Sequence, residues 1–145
     1  MTSIRPEVSR DVVALDGSAS MRAAALVMDE RKVGSVGVLE DGELVGLVTE
    51  GDLVRAVLVQ GEAPDAPITR AMRAVPYVDA DETVERCQAL MRDHRTRHLL
   101  VEDAGGVVGI VTMRHILRLM LEEQRWAARQ LEDYITGGPT ADRPA

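Results

Sequence analysis

The sequence repeats itself. Laid over itself at a fixed offset of 63 positions, residues 9–53 align with 72–116 without a gap, and ten of these 45 pairs are identical. Identities include Arg10/Arg73, Asp16/Asp79, Met28/Met91, Gly42/Gly105, Gly46/Gly109 and Thr49/Thr112. They gather where backbone geometry is demanding, so the chain is expected to build one supersecondary unit twice.

Each copy reads in the same order. A short extended piece (12–15; 75–78) precedes an amphipathic helix over about 19–31 and 82–94, with Ser18 and Asp81 suited to cap it. Ala24, Val27 and Met28 form one apolar stripe, and Cys87, Leu90 and Met91 form its twin. Two strands follow (35–40 and 43–48; 98–102 and 107–111), with Asp41-Gly42 and Gly105-Gly106 as turn signals. A second helix starts after Thr49 and after Thr112.

The strands, such as Leu44-Val45-Gly46-Leu47-Val48, are nearly continuous aliphatic runs, which predicts burial on both faces. One unit alone would leave a face wet. Two copies packed about a pseudo-twofold axis hide it, giving an α/β (α+β) fold of tandem βαββα units. The repeats are placed at 1–59 and 69–121, joined by a linker at 60–68 that carries Gly61, Pro64 and Pro67. The last helix is expected from Met113 to about Thr136, so that 122–136 extends beyond the repeat and Gly137-Gly138-Pro139 stops it. Residues 137–145 read as a disordered tail.

Composition narrows the partners. With no Phe, one Trp and two Tyr, the core must be built from Val, Leu, Ile, Met and Ala. A net charge of −7 argues against nucleic acid or an anionic membrane surface as partner. Cys87 is the only cysteine, so no intrachain disulfide can form. No apolar run approaches the roughly 18 residues needed to span a bilayer, and Met1–Pro6 holds no apolar signal core. The expected location is therefore cytoplasmic.

The chemistry concentrates after the third strand of each copy, in Gly46-Leu47-Val48-Thr49-Glu50-Gly51-Asp52 and Gly109-Ile110-Val111-Thr112-Met113-Arg114-His115. Thr49 ends a buried strand and opens a helix, where free N–H groups and the macrodipole suit a phosphate. Asp52, one turn on, can accept both hydroxyls of a ribose, and Val12 and Val13 can flank an adenine ring. Thr-x-x-Asp at a helix start is also the pattern of a capping box, and Thr49 can serve both purposes. The second copy departs from the first. His115 stands in the acidic position, and Arg92, His94, Arg95, Arg97 and His98 make it richer in cationic groups, which are either phosphate ligands or solvated surface charge.

Gly-h-h-Thr-x-x-Asp, with h apolar, resembles the signature of CBS (cystathionine-β-synthase-type) domains, and Val33–Gly42 resembles the strand and turn that lead into it. The resemblance covers 8–59 and 70–120 and is that of a Bateman module, a pair of such domains with a nucleotide cleft between the copies. It implies a regulatory module, not an enzyme, that binds AMP, ADP, ATP or S-adenosylmethionine and requires no cofactor. In the first copy it points to Val12, Val13, Gly34, Ser35, Thr49 and Asp52. In the second it points to Pro76, Arg97, His98, Thr112 and His115, with Arg97 or His98 at the phosphate. It also implies a homodimer, and a separate effector protein that reads the signal. Trp126, set among charged residues of the last helix, marks a contact with a second chain or with the module itself. The alternative is a ligand-free dimerisation scaffold, for which His115 in place of Asp speaks.

Other constellations are bland. His94, His98 and His115 match no metal-ligand spacing. No Ser/His/Asp set, nucleophile elbow or P-loop occurs. Cys87 falls on an apolar stripe and reads as core.

Overall fold

Side chains alternate along each strand, and in a computed structural model of the protein both resulting faces are covered. The structure describes residues 2–136. The tail expected at 137–145 and the helix stop at Gly137–Pro139 lie outside the described residues.

The first half runs β1 (Ala14–Asp16), α1 (Met21–Arg31), β2 (Ser35–Glu40), β3 (Glu43–Thr49) and α2 (Glu50–Val54), which continues in π-helical geometry over Arg55–Val59. The second half runs β4 (Tyr77–Asp79), α3 (Val84–Asp93), β5 (His98–Asp103), β6 (Gly106–Thr112) and α4 (Met113–Thr136). Each half holds one three-stranded sheet, β1-β2-β3 or β4-β5-β6. β1 is parallel to β2, and β2 is antiparallel to β3. The 63-residue offset holds in the register. Leu15 faces Val38 and Val78 faces Val101, and an irregularity falls at Val38/Leu39 and again at Val101/Glu102. The mixed α/β architecture with a long last helix is the one expected.

Burial on both faces follows the period of two. Val36, Val38 and Val48 point to α1 and pack with Met21, Ala24 and Met28. Their counterparts Leu99, Val101 and Val111 pack with Val84, Cys87 and Met91. The intervening Leu47, Leu100 and Ile110 turn the other way and form a third apolar layer between the halves, with Val12, Leu44, Val75 and Val107.

The halves also exchange their lead-in segments. Ile4 is fully buried in the core of the second half, and Ser9 bridges Ile110 of β6. Reciprocally, Ile68 and Ala71 enter the core of the first half, and Arg73 bridges Leu47 of β3. A 3-10 turn marks both segments, Arg5–Glu7 and Ile68–Arg70, again 63 residues apart. The segment read as a linker therefore also packs: the Pro64 and Ala66 carbonyls accept the Arg22 and Met21 N–H groups of α1.

Two local expectations are corrected. Ser20 and Thr83, not Ser18 and Asp81, cap α1 and α3, accepting the Ala23 N–H at 3.0 Å and the Arg86 N–H at 3.2 Å. The earlier positions are taken by turns closed by the repeated aspartates, with Asp16 accepting the Ser18 N–H and Asp79 the Asp81 N–H. The second hairpin turns on Ala104-Gly105 (φ 52° and 84°), matching Asp41-Gly42 (52° and 78°), because a tight hairpin needs positive φ at both central residues. Gly106 already belongs to β6.

The exchange explains the repeated glycines. A Cβ on Gly109 would meet the Ser9 carbonyl oxygen, with the Ser9 carbonyl carbon at 2.9 Å. A Cβ on Gly46 would meet the Met72 side chain instead, with its Cγ at 2.9 Å. Backbone cannot step aside, whereas methionine can. In denaturant unfolding, Gly109→Ala is expected to cost about 2 kcal/mol or more and Gly46→Ala clearly less. Equal costs would contradict the packing of the lead-in on β6.

Candidate functional site

Where the halves meet beside the strand-to-helix junctions, they leave a cleft of about 620 Å³. The first half supplies Gly34, Ser35, Thr49 and Asp52, and the second supplies Arg97, His98 and Thr112. Four other expected residues do not line it. Val12 lies in the layer between the halves and Val13 against the first core. The Pro76 carbonyl accepts the Leu100 N–H at 2.9 Å, so Pro76 serves the sheet, and Ala74 and Val75 line the cleft in its stead. His115 is hydrogen-bonded to Thr112 and does not itself line the cleft.

The two junctions are built alike from different chemistry. At the first, the Thr49 N–H donates to Asp52 Oδ2 at 2.9 Å and the Asp52 N–H to Thr49 Oγ1 at 3.1 Å, a reciprocal capping box. At the second, the Thr112 N–H donates to His115 Nδ1 at 3.1 Å and the His115 N–H to Thr112 Oγ1 at 3.4 Å. Histidine thus takes over the aspartate's capping role by offering a ring nitrogen lone pair. The cap formed by Thr49 and Asp52 faces the cleft, since both residues line it.

These caps change where an anion can be held. The expected row of free N–H groups at the start of α2 is largely used: the Glu50 N–H donates to the Gly34 carbonyl at 3.1 Å, and Thr49 and Asp52 satisfy each other. At the start of α4 the Met113 N–H donates to the Arg97 carbonyl at 2.9 Å. An anion is left to the side chains. Arg73, Arg95, Arg97 and Arg114 line the cleft against only two carboxylates, Glu50 and Asp52, in a chain of 24 acidic and 17 basic residues. Among the described residues, Arg95, Arg97 and Arg114 make no ion pair. The net negative sequence charge therefore hides a cationic pocket.

Arg73 and Arg114 also line the cleft, although neither the motif nor the resemblance points to them as site residues. Arg73 is one of the identical repeat pairs, and Arg114 stands within the second motif where the first has Gly51. Arg95 was visible within the cationic run, and its left-handed backbone (φ 51°), shared with Lys32 (φ 56°) at the same point of the first half, turns the chain toward the cleft at the end of α3.

Burial pushes His98 below the ordinary histidine value, opposed by the nearby Asp52 carboxylate and reinforced by Arg73 and Arg97. Burial likewise depresses His115, opposed by Glu7 and reinforced by Arg118 and Arg114. Burial lifts the Cys87 thiol to about 12, consistent with a core side chain. Among the described residues no group of three or more His, Cys, Asp or Glu is placed to hold a metal ion, and no helix is long and apolar enough to cross a membrane.

Comparison with known proteins agrees with the fold. The CBS domain family profile matches residues 4–59 and 64–122. The chain belongs to the CBS domain family and carries two copies of the domain. It is 36% identical over 121 residues to the uncharacterized protein MK0525 of Methanopyrus kandleri, covering 81% of this chain and 62% of that protein. It therefore spans about three-fifths of that relative's length. The solved structure of a conserved protein from Pyrococcus horikoshii superposes with a TM-score of 0.74 at 30% identity, covering 82% of this chain and 92% of that one. The CBS domain pair of protein MJ0100, solved in complex with 5′-methylthioadenosine and S-adenosylmethionine, superposes with a TM-score of 0.72 at 25% identity, covering 85% and 98%.

The histidine cap has a measurable consequence. His115 can accept the Thr112 N–H only while Nδ1 is unprotonated. Its folded pKa lies below the unfolded 6.5, so the folded state binds fewer protons in that window. The contribution to stability is present above about pH 6.5 and is lost as pH falls through the depressed value. Melting temperature should drop as pH falls below about 6.5 more steeply in the wild type than in His115→Asn, whose amide oxygen accepts the same N–H without titrating. Identical slopes would rule out the cap.

Proposed function

We propose that the protein is a regulatory module that binds an adenine nucleotide (AMP, ADP, ATP or S-adenosylmethionine) in the cleft between its CBS domains, and that it is not an enzyme. The observation that carries this reading is the cleft itself. A threonine and a buried aspartate from one half face a group of arginines and a histidine, mostly from the other. Asp52 and Thr49 suit the ribose and its neighbouring oxygens, while Arg97, His98 and Arg95 suit phosphate. Leu47, Ala74 and Val75 offer an apolar wall for the base. The adenosine ligands of the MJ0100 domain pair support the same class. Because both halves line the cleft, a ligand that prefers one tilt of the halves shifts the population toward it, and a separate effector protein or a second copy reads the change.

Surface chemistry supports a homodimer. Val54 and Leu58 on the second helix of the first half are 53% and 78% exposed, and their counterparts Leu117 and Leu121 on α4 are 55% and 47% exposed. A solvent-exposed apolar patch that recurs under the pseudo-twofold presents two matching faces to a second copy. Trp126 is half-buried on α4 beyond the repeat, while Leu131, Tyr134 and Ile135 farther on are exposed.

Beside His115 in place of Asp, the ligand-free scaffold reading has one structural observation in its favour: the Asp52 carboxylate already accepts from Thr49, Arg55 and Arg73. A thermal-shift series with AMP, ADP, ATP and S-adenosylmethionine separates the two. A ligand at 100 times its dissociation constant raises stability by about 2.7 kcal/mol, and Arg97→Ala is expected to weaken a phosphorylated ligand by about tenfold or more. No shift with any of the four would favour the scaffold. For the dimer, light scattering of the double variant Leu58→Glu, Leu121→Glu should give half the wild-type mass; an unchanged mass would place the interface elsewhere.

A further inference from the structure

We infer that Arg73 is a latch on the ribose-facing carboxylate, one that makes the cleft answer to a nucleotide's phosphate and resist its nucleoside. This rests on the adenine-nucleotide reading. Asp52 is 2% exposed, and three of the roughly four acceptor sites of its carboxylate are taken. Oδ2 accepts the Thr49 N–H at 2.9 Å. Oδ1 accepts Arg55 Nη2 at 3.2 Å and Arg73 Nε at 2.6 Å. A ribose diol donates two hydroxyls to such a group, whereas one acceptor site remains on Oδ2 and Oδ1 already carries two charged donors. One of them must leave.

The structure distinguishes the two donors. Arg55 follows Asp52 by three residues on the same helix, so its contact is local. Arg73 comes from the lead-in segment of the other half, lines the cleft and has a side chain 54% exposed. It can turn. Its backbone bridges Leu47, so only the guanidinium need move.

What the guanidinium moves to decides which ligand enters. A phosphate offers it a planar, charge-assisted pair in exchange for the carboxylate it gives up. Adenosine offers nothing comparable and must break the Asp52–Arg73 pair uncompensated. The second half shows the contrast. Arg10, the repeat partner of Arg73, reaches Asp103 at 3.5 Å instead, and the corresponding cap position is His115, which has no carboxylate to hold an arginine. The latch therefore belongs to one half only.

Calorimetry of adenosine and AMP against full-length wild type, Arg73→Gln and Arg73→Lys tests this. Removing the latch should tighten adenosine about tenfold while AMP gains nothing, so the AMP preference shrinks by that factor. Arg73→Lys, which keeps one charged donor, should tighten adenosine by a smaller factor, and it carries the test if circular dichroism shows that Arg73→Gln does not fold. An unchanged AMP-to-adenosine ratio in a folded variant that binds both would overturn the latch while leaving the nucleotide reading intact. Failure of wild type and variants to bind either ligand at millimolar concentration would overturn the nucleotide reading and the latch with it.

Discussion

Each half of this protein is closed by a piece of the other. Ile4, at the start of the first half, is fully buried in the core of the second, more than seventy residues away along the chain. Ile68 and Ala71, leading into the second half, seal the first. Between the sheets, Leu47, Leu100 and Ile110 share a further apolar layer. Each large aliphatic side chain fully buried in this way contributes about 1.5–3 kcal/mol. No sheet face is left for water, so neither half has a complete core alone. The long crossings make the two halves one cooperative object, and they fix how the strand-to-helix junctions face each other.

The cleft inherits this arrangement. Its threonine and aspartate come with β3 and α2, and the arginines that make no ion pair among the described residues come with α4 and the segment between α3 and β5. Duplication supplied the framework, and divergence supplied the chemistry. Where the first half places Asp52, the second places His115. Both complete the same cap, but only aspartate brings an acidic oxygen to the cleft. The asymmetry places acidic character on one side of the cleft and cationic character on the other. A symmetrical pair of aspartates would have cancelled more of the arginine charge.

Much of the fold was legible because periodicity and repetition report backbone geometry. The strand runs, the aliphatic alternation and the stop-and-start at Thr49 and Thr112 all depend on local sequence, and the register reproduces the offset residue for residue. Caps were less legible. Ser18 and Ser20 are both good capping residues, and only the turn closed by Asp16 decides between them. The site was legible in part. Thr49, Asp52, Arg97 and His98 carry motif or charge signals and do line the cleft. Arg73 and Arg114 do not advertise themselves, since their approach depends on how two distant segments cross. Val12 and Pro76 do not line this cleft: Val12 lies in the layer between the sheets, and the Pro76 carbonyl accepts the Leu100 N–H of β5.

The central claim is that one ligand spans both halves. A crystal structure of the protein grown with AMP tests it most directly. The account predicts the ribose against Thr49 and Asp52 of the first half and the phosphate within hydrogen-bonding distance of Arg97 or His98 of the second. A nucleotide seated on one half alone, or outside the cleft, would contradict it.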